Sequence, residues 1–251
     1  MLYFGKINGG FMKQNKYDDN VFFEKYGKMP RSIGGLDVAG EWPVLKNVLP
    51  DLNNKRVLDL GCGYGWHCRY AMENNAKEVI GVDISEKMLR KAITMTNSDN
   101  IKYIHKSIEE VEFNEKIFDI IISSLALHYI KTYDELMDKI YKWLDRNGNF
   151  IFSIEHPIFT SYGNQDWIYS KENEILYWPV DNYFYEGKRD TIFLGESVIK
   201  YHRTLTTYLN VLLEKGFKIV KIIEPKPDEN NEEMKNELRR PMMLIISVMK
   251  E

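Results

Sequence analysis

Cysteine is nearly absent from these 251 residues: Cys62 and Cys68 are the only two. A disulfide-stapled secreted scaffold is thereby excluded, and without CxxC spacing or a histidine cluster no zinc site or other metal is implied. Reduced thiols with packing roles are expected. No apolar run approaches the ~20 residues of a membrane span, and the amino terminus shows no charged-then-apolar leader pattern. The expected compartment is the cytoplasm, with no membrane partner. Neither sign of charge dominates, with 34 basic and 37 acidic residues and a net charge of −3, so no overall field recruits nucleic acid. There is no solenoid repeat and no low-complexity tract long enough to separate domains. Small molecules are the expected partners, and nothing indicates an oligomer beyond the surface that late aromatics would offer one.

Against those absences stands one dense signal, Arg56-Val57-Leu58-Asp59-Leu60-Gly61-Cys62-Gly63-Tyr64-Gly65. Val57, Leu58 and Leu60 read as a buried strand, and the glycines allow a tight bend and close backbone approach at the mouth of a helix. About 20 residues on, Val79-Ile80-Gly81-Val82 ends in Asp83, the offset of an acid that accepts hydrogen bonds from ribose hydroxyls. A dinucleotide fingerprint needs a third glycine where this chain has Trp66, whose indole obstructs the close helix packing of a pyrophosphate site. Asp59 is equally unwelcome beside a pyrophosphate. It is tolerable beside a cofactor with an ammonium and a sulfonium, which describes S-adenosylmethionine.

Asp59-Leu60-Gly61-Cys62-Gly63-Tyr64-Gly65 followed by Gly81-Val82-Asp83-Ile84-Ser85 resembles the class I S-adenosylmethionine-dependent methyltransferases. Ser107-Ile108-Glu109, the run Phe118 to His128 and the turn Leu144 to Phe150 agree with that family's third, fourth and fifth strands. Over roughly residues 55 to 155 the resemblance implies a Rossmann-like, doubly wound, seven-stranded, mostly parallel α/β sheet whose last strand inserts antiparallel. Met29-Pro30-Arg31-Ser32, Ser153 to Pro157 and Tyr201-His202-Arg203-Thr204 are similar to a bacterial small-molecule branch. Strands are expected near 56–60, 78–83, 101–105, 117–123 and 148–155, with helices near 66–74, 86–97 and 133–144. A helix over Thr204–Lys215 and a strand pair, Phe217–Glu224 and Met242–Met249, should follow. The proline-rich, acidic stretch between that pair, 225–233, reads as a mobile surface loop. One domain spans 1–251, comprising a lid (11–50), a cofactor-binding core (55–155), a substrate cap (157–203) and the C-terminal helix and strand pair (204–251).

The resemblance assigns cofactor contacts to the backbones of Gly61, Cys62 and Gly63, to Asp59 beside the glycine turn, and to Asp83 on the ribose diol. Ile84, Met88 and Ile108 form an apolar wall against adenine, while Ser107 or Glu109 meets its amino edge, where many relatives carry Asp. Ser124 and Leu125 follow the fourth strand. Tyr17, Tyr26 or Arg31 in the lid suits the methionine carboxylate, Arg through its bidentate fork. Trp42 reads as core. In the cap, Phe159, Tyr162, Trp167, Tyr169, Tyr177, Trp178, Tyr183, Phe184 and Tyr185 are dense enough that some should line a pocket.

Methyl transfer draws much of its acceleration from alignment in a water-poor pocket, and a general base assists a hydroxyl or ammonium acceptor. His156, His128 and His202 are the candidates by position, with Glu155 suited to orienting a partner; His67 and His105 read as surface positions. Nucleic-acid acceptors are disfavoured, because the fourth-strand exit reads Ser123-Ser124-Leu125-Ala126 rather than Asn/Asp-Pro-Pro-aromatic, and no Pro-Cys pair is present. The leading expectation is a small-molecule methyltransferase. An NAD-linked oxidoreductase, opposed by Trp66 and Asp59, and a noncatalytic cofactor-binding module are the alternatives.

Overall fold

The structure, a computed structural model, describes residues 3–4, 14–230 and 232–251; residues 11–13 of the expected lid and Asn231 of the acidic loop lie outside them. Strand β1 is the dipeptide Tyr3–Phe4, and helices α1 (Asn20–Gly27), α2 (Pro30–Gly34) and α3 (Trp42–Lys46) precede the alternating core. The core runs β2 (Arg56–Leu60), α4 (Trp66–Glu73), β3 (Glu78–Asp83), α5 (Glu86–Thr94), β4 (Ile101–His105), β5 (Phe118–Ser124), α6 (Tyr133–Trp143) and β6 (Leu144–Glu155). After α7 (Pro157–Ser161) come two small ladders, β7 (Ile168–Tyr169) with β8 (Ile175–Tyr177) and β9 (Gly187–Phe193) with β10 (Glu196–His202). Helix α8 (Leu205–Glu214), β11 (Phe217–Ile223) and β12 (Met243–Lys250) complete the order.

The main sheet is ordered β1-β4-β3-β2-β5-β6-β12-β11. Its strands are parallel from β1 to β6, and β12 runs antiparallel to both β6 and β11. This is the expected seven-stranded Rossmann-like sheet, with the two residues of β1 added at one edge. Strand order reverses between β2 and β5, and a doubly wound sheet opens a crevice at the carboxyl ends of its strands at such a point. Both faces are covered by apolar clusters, one containing Leu58, Ile121, Tyr133, Trp143 and Phe152, the other Trp42, Val57, Cys68, Leu89 and Ile122. Trp42 is therefore core, as its sequence context implies.

Local chemistry fixes the helix starts. Ser85 caps α5 by accepting from Met88 N, Thr204 caps α8 by accepting from Thr207 N, and Asp19 caps α1 by accepting from Phe22 N. At the opposite end of the sheet Arg56 spans β2 and β5, donating from Nε to Asp119 at 2.9 Å and from Nη2 to Asp145 at 2.9 Å. Residues 225–230 of the expected loop carry no helix or strand, and regular structure resumes just beyond them. A 3-10 helix over Glu232–Arg239 leads to Arg240, whose guanidinium lies 4.0 Å from the Trp178 ring centre and 4.8 Å from that of Phe159. Such stacking ties this stretch to the cap.

Candidate functional site

Beyond the carboxyl ends of β2, β3 and β5 lies a cavity of about 770 Å³. The glycine turn forms its floor, with Gly61, Gly63 and Gly65 at φ of +77°, +52° and +70°. A side chain at Gly61 would place Cβ 2.5 Å from Cβ of Ala126, whereas one at Gly63 would meet nothing within 4 Å. Gly61 N and Cys62 N donate to Val82 O at 2.8 and 3.0 Å, which fastens the turn to β3. Asp83 completes the cradle: its Oδ2 accepts from Gly63 N at 2.8 Å and its Oδ1 from Ser85 N at 2.8 Å. Each oxygen keeps lone pairs for further donors such as a ribose diol. Burial pushes the Asp83 carboxyl up to about 6, although those two backbone N–H groups pull it down.

Ile84, Met88, Ser107, Ile108 and Glu109 continue along the wall from Asp83, and Ser124, Leu125 and Ala126 form the edge after β5. Leu125 holds a left-handed φ of +51°, unusual for a side chain of its kind and located where β5 ends against the cavity. Glu109 accepts from the Thr132 hydroxyl at 3.1 Å. At the other end Tyr17, Tyr26 and Arg31 reach the wall. Arg31 donates to Glu41 Oε1 at 2.7 Å, and the Ser124 hydroxyl donates to the same oxygen at 3.1 Å, so a buried carboxylate holds the guanidinium in place. No sequence motif marked Glu41, because its partners come from α2 and β5.

Two expected cofactor contacts sit elsewhere. Asp59 is buried beneath the turn, accepts from the Cys68 thiol at 3.3 Å and is absent from the cavity wall; burial raises its carboxyl to about 7. Cys62 borders a small adjoining hollow of about 60 Å³ shared with Gly61 and Gly63. Strand alternation turns the Asp59 side chain away while its neighbours carry the backbone forward.

The histidines separate cleanly. His128 lies on the wall, and its Nδ1 accepts from Glu155 N at 3.4 Å; burial lowers its pKa to about 4, so the ring is neutral. His156 does not reach the cavity. Its Nδ1 accepts from Ile158 N at the start of α7, and Nε2 lies 2.9 Å from Glu224. His202 is fully buried between the Thr160 hydroxyl at 2.7 Å and Tyr183 O at 2.9 Å, away from the wall. Both contribute to the packing of the cap. His67, expected at the surface, is buried edge-on to Trp42, and burial lowers it to about 4. Among the described residues no cluster of three or more His, Cys, Asp or Glu is placed to hold a metal ion.

Of the nine cap rings singled out above, Phe159 alone is on the wall. Trp167 and Trp178 pack edge to face and Phe159 stacks on Trp178 at 5.0 Å, a small cap core, while Tyr162, Tyr169, Tyr177, Phe184 and Tyr185 are exposed. The cap wall comes instead from the β9–β10 hairpin through Ile192, Phe193, Ile199, Lys200 and Tyr201, joined by Tyr129, Glu155, Gln165, Met242 and Met243. Of these, Glu155 was expected near the site; Lys200, within an alternating strand, gave no distinctive spacing.

A doubly wound sheet with a glycine turn, a buried acid after the second core strand and a cavity at the switch point defines an enzyme that binds a nucleoside-bearing cofactor. A family model described as a methyltransferase domain matches residues 58–152. The crystal structure of an S-adenosylmethionine-dependent methyltransferase from Mesorhizobium loti is 39% identical, covers 86% of this chain and 100% of its own, and superposes with a TM-score of 0.81. A Listeria monocytogenes structure named for the same activity is 51% identical over 86% of this chain and 99% of its own, with a TM-score of 0.83. An uncharacterised protein of Haemophilus influenzae is 36% identical over 249 residues, 95% of this chain and 98% of its own. The chain belongs to the S-adenosylmethionine-dependent methyltransferase family. It is an enzyme of that class, and S-adenosylmethionine is its cofactor.

Proposed function

We propose that the protein methylates a small-molecule acceptor held in the chamber between the glycine turn and a roof made by α1 and the β9–β10 hairpin. The observation that carries this reading is the roof itself. Phe22 of α1 meets Phe193 at 5.9 Å between ring centres, Lys25 Nζ donates to Leu194 O at 3.0 Å, and Gln14 Oε1 accepts from Ile199 N at 2.6 Å. A chamber of this volume with two roofing elements suits a compact ligand rather than a polymer surface.

In this reading Asp83 accepts from the ribose hydroxyls, the Gly61 and Gly63 backbones lie against the cofactor, and Ile84, Met88 and Ile108 pack on adenine with Ser107 and Glu109 at its edge. Tyr26 and Arg31, braced by Glu41, face the methionine carboxylate. Bound S-adenosylmethionine supplies an electrophilic methyl group on a sulfonium. The chain's own contribution is alignment and exclusion of water. Of the three candidate histidines we assign only His128 to the reacting end. Because Nδ1 takes the Glu155 N–H, the proton of the neutral ring sits on Nε2, and His128 orients the acceptor by donating rather than by removing its proton.

The test is label transfer. Purified protein and methyl-labelled S-adenosylmethionine are incubated separately with the deproteinised metabolites, the proteins and the nucleic acids of a bacterial extract. Label should enter the metabolite fraction alone; label confined to a macromolecular fraction would falsify the small-molecule assignment.

A further inference from the structure

The chamber contains a buried lysine with no part in cofactor binding. Lys200 is 2% exposed, yet it lies on the cavity wall. Its ammonium donates to Glu155 Oε1 at 2.5 Å and to Gln165 Oε1 at 2.8 Å, while the Gln165 amide donates to Glu155 Oε2 at 2.7 Å. The amide of Gln165 is thereby oriented in one sense, and its backbone holds a left-handed φ of +54° to deliver it. An ammonium has three N–H bonds. Two are taken by oxygens; the third finds no oxygen or nitrogen acceptor among the described residues, and the ammonium lies 5.6 Å from the Phe193 ring centre and 6.0 Å from that of Tyr129 on the same wall.

A plain brace between cap and β6 explains the ion pair but not the lysine's place on the wall. Charge gives the second observation. Each carboxylate on that wall already accepts from a partner: Asp83 from two backbone N–H groups, Glu109 from Thr132, and Glu155 from Lys200 and Gln165. Lys16 and Lys131 also border the cavity. With Asp83 and Glu109 given to the cofactor and Glu155 to Lys200, a cationic acceptor would meet three lysines, whereas an anionic oxygen would meet a desolvated donor, with the Nε2–H of His128 on the same wall.

We infer, building on the small-molecule reading above, that Lys200 selects the acceptor and that the acceptor presents an anionic oxygen, a carboxylate or phenolate, to its third N–H. Glu155 then acts as the counter-ion of Lys200 and is not a base. Lys200 is a specificity residue.

Calorimetry on the full chain saturated with S-adenosylhomocysteine tests this with two probes of one shape and opposite charge, benzoate and benzylamine. Benzoate should bind saturably and benzylamine should not. Lys200→Met alone strands a buried carboxylate, so the informative variant combines it with Glu155→Gln. That double variant should weaken benzoate about tenfold or more while S-adenosylhomocysteine affinity stays within about twofold, and Lys200→Arg should retain most benzoate affinity. Tighter binding of benzylamine, no saturable benzoate binding, or unchanged benzoate affinity in the folded double variant overturns the inference. If the double variant fails to fold, the preference of the wild-type protein between the two probes decides. Failure of S-adenosylhomocysteine to bind wild type is a different result, which removes the cofactor site and this inference with it; macromolecular labelling removes the small-molecule reading while leaving cofactor binding intact.

Discussion

Asp83 and Asp59 differ by where strand alternation points them, and pH separates their roles. Asp83 titrates near 6 because burial outweighs its two backbone donors. Ribose hydroxyls favour the ionised form, so S-adenosylhomocysteine affinity should fall by up to about tenfold per pH unit as pH drops below that value. Calorimetry between mildly acidic and neutral pH checks this, with Asp83→Asn expected to flatten the profile. Asp59 holds its proton up to about 7 in the folded protein through burial, against about 4 in an unfolded chain. A folded-state pKa raised in this way makes stability greatest below pH ~4, lost as pH rises to about 7 and level above it. Asp59→Asn should therefore match wild type near pH ~4 and exceed it above neutrality, by on the order of 4 kcal/mol, in thermal unfolding. A difference that ignores pH would contradict that origin. Asp83 was legible in sequence because an acid ending a buried strand at a set distance from a glycine turn has few other uses. The orientation of Asp59 was not, since spacing along a strand does not say which face meets the cavity.

The glycine turn makes two distinct demands on its residues. At Gly61 a methyl group would strike Ala126 at 2.5 Å on a backbone already at φ +77°, so Gly61→Ala should lose about 2–4 kcal/mol of stability in denaturant unfolding. At Gly63 the φ of +52° costs about 1–2 kcal/mol, but nothing else obstructs a side chain, and the residue lies on the cavity wall where the proposed cofactor would pass. Gly63→Ala should stay folded while S-adenosylhomocysteine binding weakens tenfold or more. Equal effects of the two substitutions on binding and stability would contradict this division. Core elements were read closely from sequence: β2, β3 and β4 occupy the expected residues, because a short apolar run between turn residues has sharp ends. α5 stops at Thr94 rather than 97, and β6 begins at Leu144 rather than 148, where Phe118 pairs with Leu144 before an irregularity in the ladder. The cap was less legible. Ring density drew attention to the cap, 157–203, yet of its nine rings Phe159, Trp167 and Trp178 pack together against Arg240 and five are exposed, and most of the cap's wall comes from the plainer hairpin inside the same segment.

At the scale of the molecule, the chamber exists because a segment before the sheet and a hairpin after it meet over the switch point. Sequence indicated a lid and a cap separately; their contact joins residues some 170 positions apart, as Lys25 and Leu194 are, and no local pattern encodes such pairing. Phe22, fully buried against Phe193, is the apolar link. Phe22→Ala should cost about 3–5 kcal/mol of stability and speed hydrogen exchange in α1 and the β9–β10 turn, leaving β2 and β3 protected. Uniform loss of protection across the sheet would show instead that the roof is inseparable from the core. Asp83 is the residue proposed to hold the cofactor, and one calorimetric comparison tests that role: wild type and Asp83→Ala titrated with S-adenosylhomocysteine, with NADH as control. Micromolar binding by wild type, a loss of about a hundredfold in a folded Asp83→Ala variant and no response to NADH are predicted. Unchanged affinity in the folded variant would contradict the account.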